Sequence, residues 1–224
     1  MTKRIPILLF IVACLVNLAG RIWNPELAGI VKPALLPLLA VAVLTAALEG
    51  GVDRKQLALL IAAELFGCVG DTFLLSGEFV FFASGIGAFL IGHIFYITLF
   101  GRHSLKGISP TGWILSLAIM AGLVYGLVRV LKVQGALLAP MAVYGMMLMM
   151  LIFSTLCGLI RFRQKGTWTL LFIGALLFTF SDSLIAAGTF GVIDFELREF
   201  VIMATYLLAQ SLLAIGGLRL CQKK

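Results

Sequence analysis

Two aspartates, Asp71 and Asp182, lie deep inside stretches that otherwise read as membrane-spanning helix. Gly70 precedes the first and Thr72 follows it, while Ser181 and Ser183 flank the second. A carboxylate in the hydrocarbon region costs roughly 2.5–3.5 kcal/mol on insertion scales, so such a residue marks a functional site by default. The chemistry open to a buried pair is proton handling. One bound molecule could be served by an acid and a base, or a proton could be relayed across the bilayer.

Composition supports the membrane reading. Of 224 residues, 62% are hydrophobic and 12% charged, and the mean hydropathy is +1.13. A soluble domain of this size carries about twice that charge. The apolar residues run without the 3.6-residue alternation of a half-solvated helix. Despite a net charge of +7, the basic residues gather at the ends of apolar runs, so nucleic-acid binding is excluded as a function class. Cys14, Cys68, Cys157 and Cys221 show no metal or disulfide spacing and read as small core residues. No metal site and no cofactor is expected.

The expected fold is all-α, one polytopic eight-span domain over residues 1–224. The spans read as 5–20, 31–48, 56–76, 79–100, 111–130, 136–160, 168–190 and 199–219. Lys3-Arg4 ahead of an apolar run, with Ile11-Val-Ala-Cys14, approximates a lipoprotein signal. The segment is nevertheless read as the first helix, because its loss would worsen the charge balance. With the N-terminus inside, the cytoplasmic set is Lys3, Arg4, Arg54, Lys55, Arg102, Lys106, Arg161, Arg163, Lys165, Arg219, Lys223 and Lys224. Arg21, Lys32, Arg129, Lys132 and Arg198 fall opposite. Both termini are therefore expected in the cytoplasm, with a bacterial inner membrane as the location.

Those directions give depths. Asp71 and Asp182 are expected 5–8 residues below the outer boundary, or roughly 8–12 Å, level with Tyr144 and Tyr206 and with Lys32 near the outer end of its helix. Glu64, Gly67 and Asp71 share one helix face, as do Phe82, Gly85, Phe89, His93 and Tyr96. His93 lies deeper, towards the cytoplasm. Asp71 and Asp182 are 111 residues apart, and Lys32 and Tyr144 are 112 apart, which reads as two parallel four-helix repeats. Blander readings compete: Lys32 snorkels to the interface or ties Asp182's helix in place, and the Met146–Met150 run is lipid-facing filler.

Taken in order, several segments form a recognisable set. They are Lys32-Pro-Ala-Leu-Leu-Pro37, Gly70-Asp71-x-x-Leu-Leu75, Phe82-x-x-Gly-x-Gly-x-Phe89-x-x-x-His93-x-x-Tyr96, Tyr144, Phe180-Ser-Asp182-Ser-Leu-Ile-Ala186 and Ala204-Thr-Tyr206-x-x-Ala-Gln210. With these the chain resembles the YhhN family of multi-span membrane proteins, whose characterised members are lysoplasmalogenases. The resemblance implies eight spans and hydrolysis of the vinyl-ether bond of a lysophospholipid, releasing a fatty aldehyde and a glycerophospho-ethanolamine or -choline. Vinyl ethers hydrolyse by protonation of the β-carbon and capture of the oxocarbenium ion by water. Asp71 and Asp182 are expected to divide the roles of acid and anion, as paired carboxyls do in glycosidases. Lys32 is expected to hold the lipid phosphate, and His93, Tyr96, Tyr144, Ser181, Tyr206 and Gln210 to contact substrate. The partners expected are this lipid and the membrane, with oligomeric state left open. Two other classes compete. A proton-coupled transporter or lipid carrier also uses buried carboxylates. An intramembrane aspartyl protease fits poorly, since Cys68 stands where its Gly-x-Gly-Asp motif has glycine.

Overall fold

Each apolar run becomes a helix whose ends follow local capping chemistry. The computed structural model describes residues 4–48, 50–163 and 165–222. Lys3, Lys223 and Lys224, three of the residues behind the expected orientation, lie outside the described residues. The helices are α1 (Ile5–Trp23), α2 (Pro25–Ala47), α3 (Arg54–Phe73), α4 (Phe79–Ser104), α5 (Pro110–Val130), α6 (Leu138–Arg161), α7 (Lys165–Thr189) and α8 (Arg198–Cys221). A 3-10 turn, Gly135–Leu137, precedes α6. All eight are long and apolar enough to cross a membrane, giving the expected polytopic helical bundle.

Two boundaries differ from expectation in ways that matter to the site. α2 starts at Pro25, six residues before 31, because Asn24 caps it by accepting from Leu27 N (3.1 Å) and Pro25 occupies the first turn. Pro33 and Pro37 then sit inside the helix; Lys32-Pro33 does not open it. Lys32 is thus about two turns in, roughly 10 Å from the helix start. α3 begins on its cap Asp53, which accepts from Lys55 N and Gln56 N, and ends at Phe73, before 76. Asp71 therefore lies in the final turn of α3, two residues from its end and not the expected five.

α3 packs closely on α4, α7 on α8 and α1 on α2; α4–α6, α2–α3 and α6–α7 contacts join these pairs. α8 also touches α1, α2 and α3, which brings its polar face to α3. α5 leans on α6, and its Ile114, Leu115, Ile119 and Leu123 stay exposed as lipid-facing surface. At the end of the bundle that carries both termini, Asp53 N donates to Cys221 O (2.8 Å). There Arg161 donates to the carbonyls of Ser104 (2.9 Å) and Lys106 (2.5 Å). Polar groups gather at the opposite end.

Candidate active site

α2 and α3 bring Lys32 to Asp71: Nζ lies 3.2 Å from Oδ1, with Lys32 8% and Asp71 2% exposed. Lys32 therefore neither snorkels to the interface nor pairs with Asp182. From α8, the Tyr206 hydroxyl donates to Asp71 Oδ2 (2.8 Å). One turn on, Gln210 Nε2 donates to that hydroxyl (3.2 Å), and from α4 the Tyr96 hydroxyl donates to Gln210 Oε1 (2.8 Å). This closeness depends on Gly67, where a Cβ would meet Leu36 Cδ1 at 2.7 Å and Gln210 Nε2 at 3.3 Å. Glu64, on the same face of α3, is fully buried, and neither carboxyl oxygen has a hydrogen-bond partner among the described residues.

The second aspartate is held differently. Asp182 on α7 accepts a hydrogen bond from the Tyr144 hydroxyl on α6, and it has no ion pair among the described residues. The two aspartates lie close enough to feel each other's charge, and Asp182 also feels Lys32. Phe178 and Phe89 pack edge-on against Tyr206, with centroids 5.4 and 6.2 Å away. His93 sits beneath them: its ring is edge-on to Phe178 (4.7 Å) and Tyr144 (5.5 Å), and Nδ1 is 2.7 Å from Phe89 O. Its Nε2 has no partner among the described residues. Ser181 is not at the site; its hydroxyl donates to Ile202 O (3.0 Å) and ties α7 to α8.

Two cavities lie side by side here. An apolar one lies between α4, α5, α6 and α7, with Tyr144, Asp182 and Ser183 as its polar edge. A larger, more polar one opens beside Lys32, Arg198 and Glu199. Leu74, Phe82 and Ile185 line both, so the two spaces share a wall. Among the expected substrate contacts only Lys32 and Tyr144 line either cavity. Tyr96, Tyr206 and Gln210 instead form the chain that ends on Asp71, and His93 lies below. Asp71 lines neither cavity, since both of its oxygens are already engaged. Among the described residues no three His, Cys, Asp or Glu side chains gather as a metal ligand set.

Arg198 is the residue that sequence reasoning missed. In the sequence it reads only as an outer charge, and no motif singles it out. Its Nη1 reaches Asp194 Oδ1 (3.1 Å) and its Nη2 Glu199 Oε1 (3.4 Å). Gly188 makes the room, for a Cβ there would lie 2.5 Å from Arg198 Nη1.

A sequence profile of the YhhN family matches residues 27–217. The chain belongs to the YhhN family. Lysoplasmalogenase TMEM86B of Mus musculus is 32% identical over 94% of this chain and 85% of its own length. The Homo sapiens TMEM86B is 31% identical over 94% of the chain and 85% of its own. Lysoplasmalogenase TMEM86A of Homo sapiens is 32% identical over 68% of the chain and 62% of its own. No solved structure matches significantly. The matched span of this YhhN-family chain runs from α2 to α8 and so contains every polar residue described above. Together they offer cations beside a polar opening, an apolar slot, and two carboxyls in different surroundings between the two.

Proposed function

We propose that this chain is a lysoplasmalogenase, an integral membrane hydrolase that cleaves the vinyl-ether bond of a single-chain ether phospholipid. The observation that carries the reading is the adjacency of the two cavities, which share Leu74, Phe82 and Ile185. A lysolipid has an anionic headgroup, a polar glycerol and one hydrocarbon chain. The opening lined by Lys32 and Arg198 suits the phosphate, which guanidinium and ammonium groups bind by charge and hydrogen bonds. The apolar cavity suits the first part of the chain. The vinyl ether links these two parts of the molecule, so it comes to rest beside Asp182 and Tyr144. The names of the TMEM86B and TMEM86A relatives support the same reaction.

The bond is an enol ether, so the barrier is set by carbon protonation and by the positive charge that follows. A carboxylic acid near the β-carbon and a carboxylate near the oxocarbenium ion answer both needs. Phe89, which lines the apolar cavity, keeps bulk water from the cation. The basic residues favour both termini in the cytoplasm, which in a bacterial inner membrane opens the site to the outer leaflet.

The test is incubation of the purified protein with a lysoplasmenyl-ethanolamine in water enriched in heavy oxygen. Free aldehyde should appear, and the glycerophospho product should carry no label, because the broken bond is the one between the vinyl carbon and the ether oxygen. An ester lysolipid of the same chain length should remain intact. Flux of intact lysolipid into sealed vesicles without aldehyde would instead favour a proton-coupled carrier.

A further inference from the structure

The two aspartates are not equivalent, and their surroundings assign their roles. We propose that the Tyr96–Gln210–Tyr206 chain holds Asp71 as the anion of the pair, leaving Asp182 as the acid that protonates the chain-side vinyl carbon. This rests on the reading of the site as a vinyl-ether hydrolase.

The polarity of the chain follows from what each group can do. An amide nitrogen only donates, so Gln210 Nε2 occupies a lone pair of the Tyr206 oxygen. The single proton of Tyr206 is then directed at Asp71 Oδ2, while Lys32 faces Oδ1. Both oxygens of Asp71 thus face donors, which fits a carboxylate. Tyr96 completes the chain, its hydroxyl donating to Oε1 while Nε2 serves Tyr206. A reversed amide would present its carbonyl to Tyr206 and draw that proton away from Asp71. Tyr96 and Gln210 are therefore positioning residues that act on Asp71 through Tyr206.

Placement supplies the second half. The β-carbon of a vinyl ether lies on the hydrocarbon side of the bond, and the carbon that water attacks bears the oxygen, on the headgroup side. Asp182 lines the apolar cavity, whereas Asp71 is paired with Lys32, which lines the headgroup opening. The steps then balance. Asp182 gives its proton to the β-carbon as the double bond's electrons form the new C–H bond. Water adds to the oxocarbenium carbon and gives a proton to Lys32, which lines the opening and passes one of its own to Asp71. In collapse of the hemiacetal, the ether C–O bond breaks, the glycerol oxygen takes a proton from Lys32, which recovers one from Asp71, and the hemiacetal hydroxyl returns one to Asp182. One water is consumed and both carboxyls are restored.

The experiment uses Asp182→Ala and Asp71→Ala in the full chain, with small carboxylic acids of graded acidity added at one pH. Asp182→Ala should lose on the order of 10²–10⁴-fold in kcat and recover in proportion to the undissociated acid. Asp71→Ala should recover in proportion to the carboxylate. The opposite dependence overturns the assignment. If neither recovers, the solvent deuterium isotope effect on residual turnover decides between the roles. It must stay at the wild-type value in Asp71→Asn and change in Asp182→Asn, and the reverse overturns the proposal. Tyr96→Phe should lower kcat about five- to tenfold, the worth of one hydrogen bond, with KM unchanged. An unaltered kcat removes Tyr96 and Gln210 from the mechanism. Wild-type turnover in either Ala variant overturns the assignment and leaves the hydrolase reading standing, whereas no aldehyde from the native protein defeats that reading itself.

Discussion

A carboxylate as enclosed as Asp71 persists because Lys32 and Tyr206 replace the water it gave up. Removing one partner leaves the other stranded. Lys32→Met should therefore destabilise the bundle by about 3–5 kcal/mol, read as a lower Tm in detergent. Adding Asp71→Asn to that variant should restore most of the Tm and none of the aldehyde release. If Lys32→Met alone melts like the wild type, the pair is not a closed ion pair. Arg198 sits farther from the chemistry, at the mouth. Arg198→Gln should raise KM roughly tenfold, as loss of one charge-assisted contact implies, with kcat held. A fall in kcat at constant KM would place Arg198 elsewhere in the reaction. Asp71 and Asp182 were legible in the sequence because a charge inside an apolar run is costly and stands out against its neighbours. Lys32, Tyr144 and Tyr206 were legible at the same depth, but which aspartate each one serves was not, because pairing depends on which helices lie side by side. Lys32 reaches Asp71 because α2 packs on α3, a fact that no local pattern encodes.

The helices themselves were legible, since eight apolar runs of spanning length leave little choice. Their ends were less so. Pro33 reads as a helix start until the better signal, Asn24-Pro25, is weighed: a capping side chain followed by a residue fit for the first turn. Glycines mark close contact along the helices, but which neighbour comes close emerges only in the packed bundle. Gly67 and Gly158 make a useful contrast. At Gly158 a Cβ would lie 2.0 Å from the Trp168 ring, where α6 meets α7 far from the aspartates. Gly158→Ala should cost about 1–3 kcal/mol of stability by overpacking, while the fraction that remains folded turns over normally. Gly67→Ala pushes on Leu36 and Gln210 instead. It should lower kcat through the Asp71 chain more than it lowers Tm. Equal behaviour of the two variants, in turnover per folded molecule, would mean that Gly67 serves packing alone.

At the scale of the whole molecule, the charge distribution and the site point in one direction. Among the described basic residues, Arg54, Lys55, Arg102, Lys106, Arg161, Arg163 and Lys165 lie at the end that carries both termini. The opposite end has fewer, and three of those are engaged with acids: Arg21 with Glu199, Lys32 with Asp71, and Arg198 with Asp194 and Glu199. The basic residues at this end are outnumbered by those at the other, so the functional residues do not oppose the topology. The halves also echo one another. In each, a polar residue of the second helix bonds to the aspartate of the third, Lys32 to Asp71 and Tyr144 to Asp182, as a parallel duplication would give. Orientation can be read with single cysteines in a background lacking Cys14, Cys68, Cys157 and Cys221. Glu196→Cys, between α7 and α8, should react with an impermeant maleimide added to intact cells, whereas Lys106→Cys, between α4 and α5, should react only after permeabilisation. The same cells should cleave lysoplasmalogen supplied from outside. Reversed labelling would turn the cavities to the cytoplasmic leaflet, and the substrate would then have to come from the lipids made or remodelled on that side.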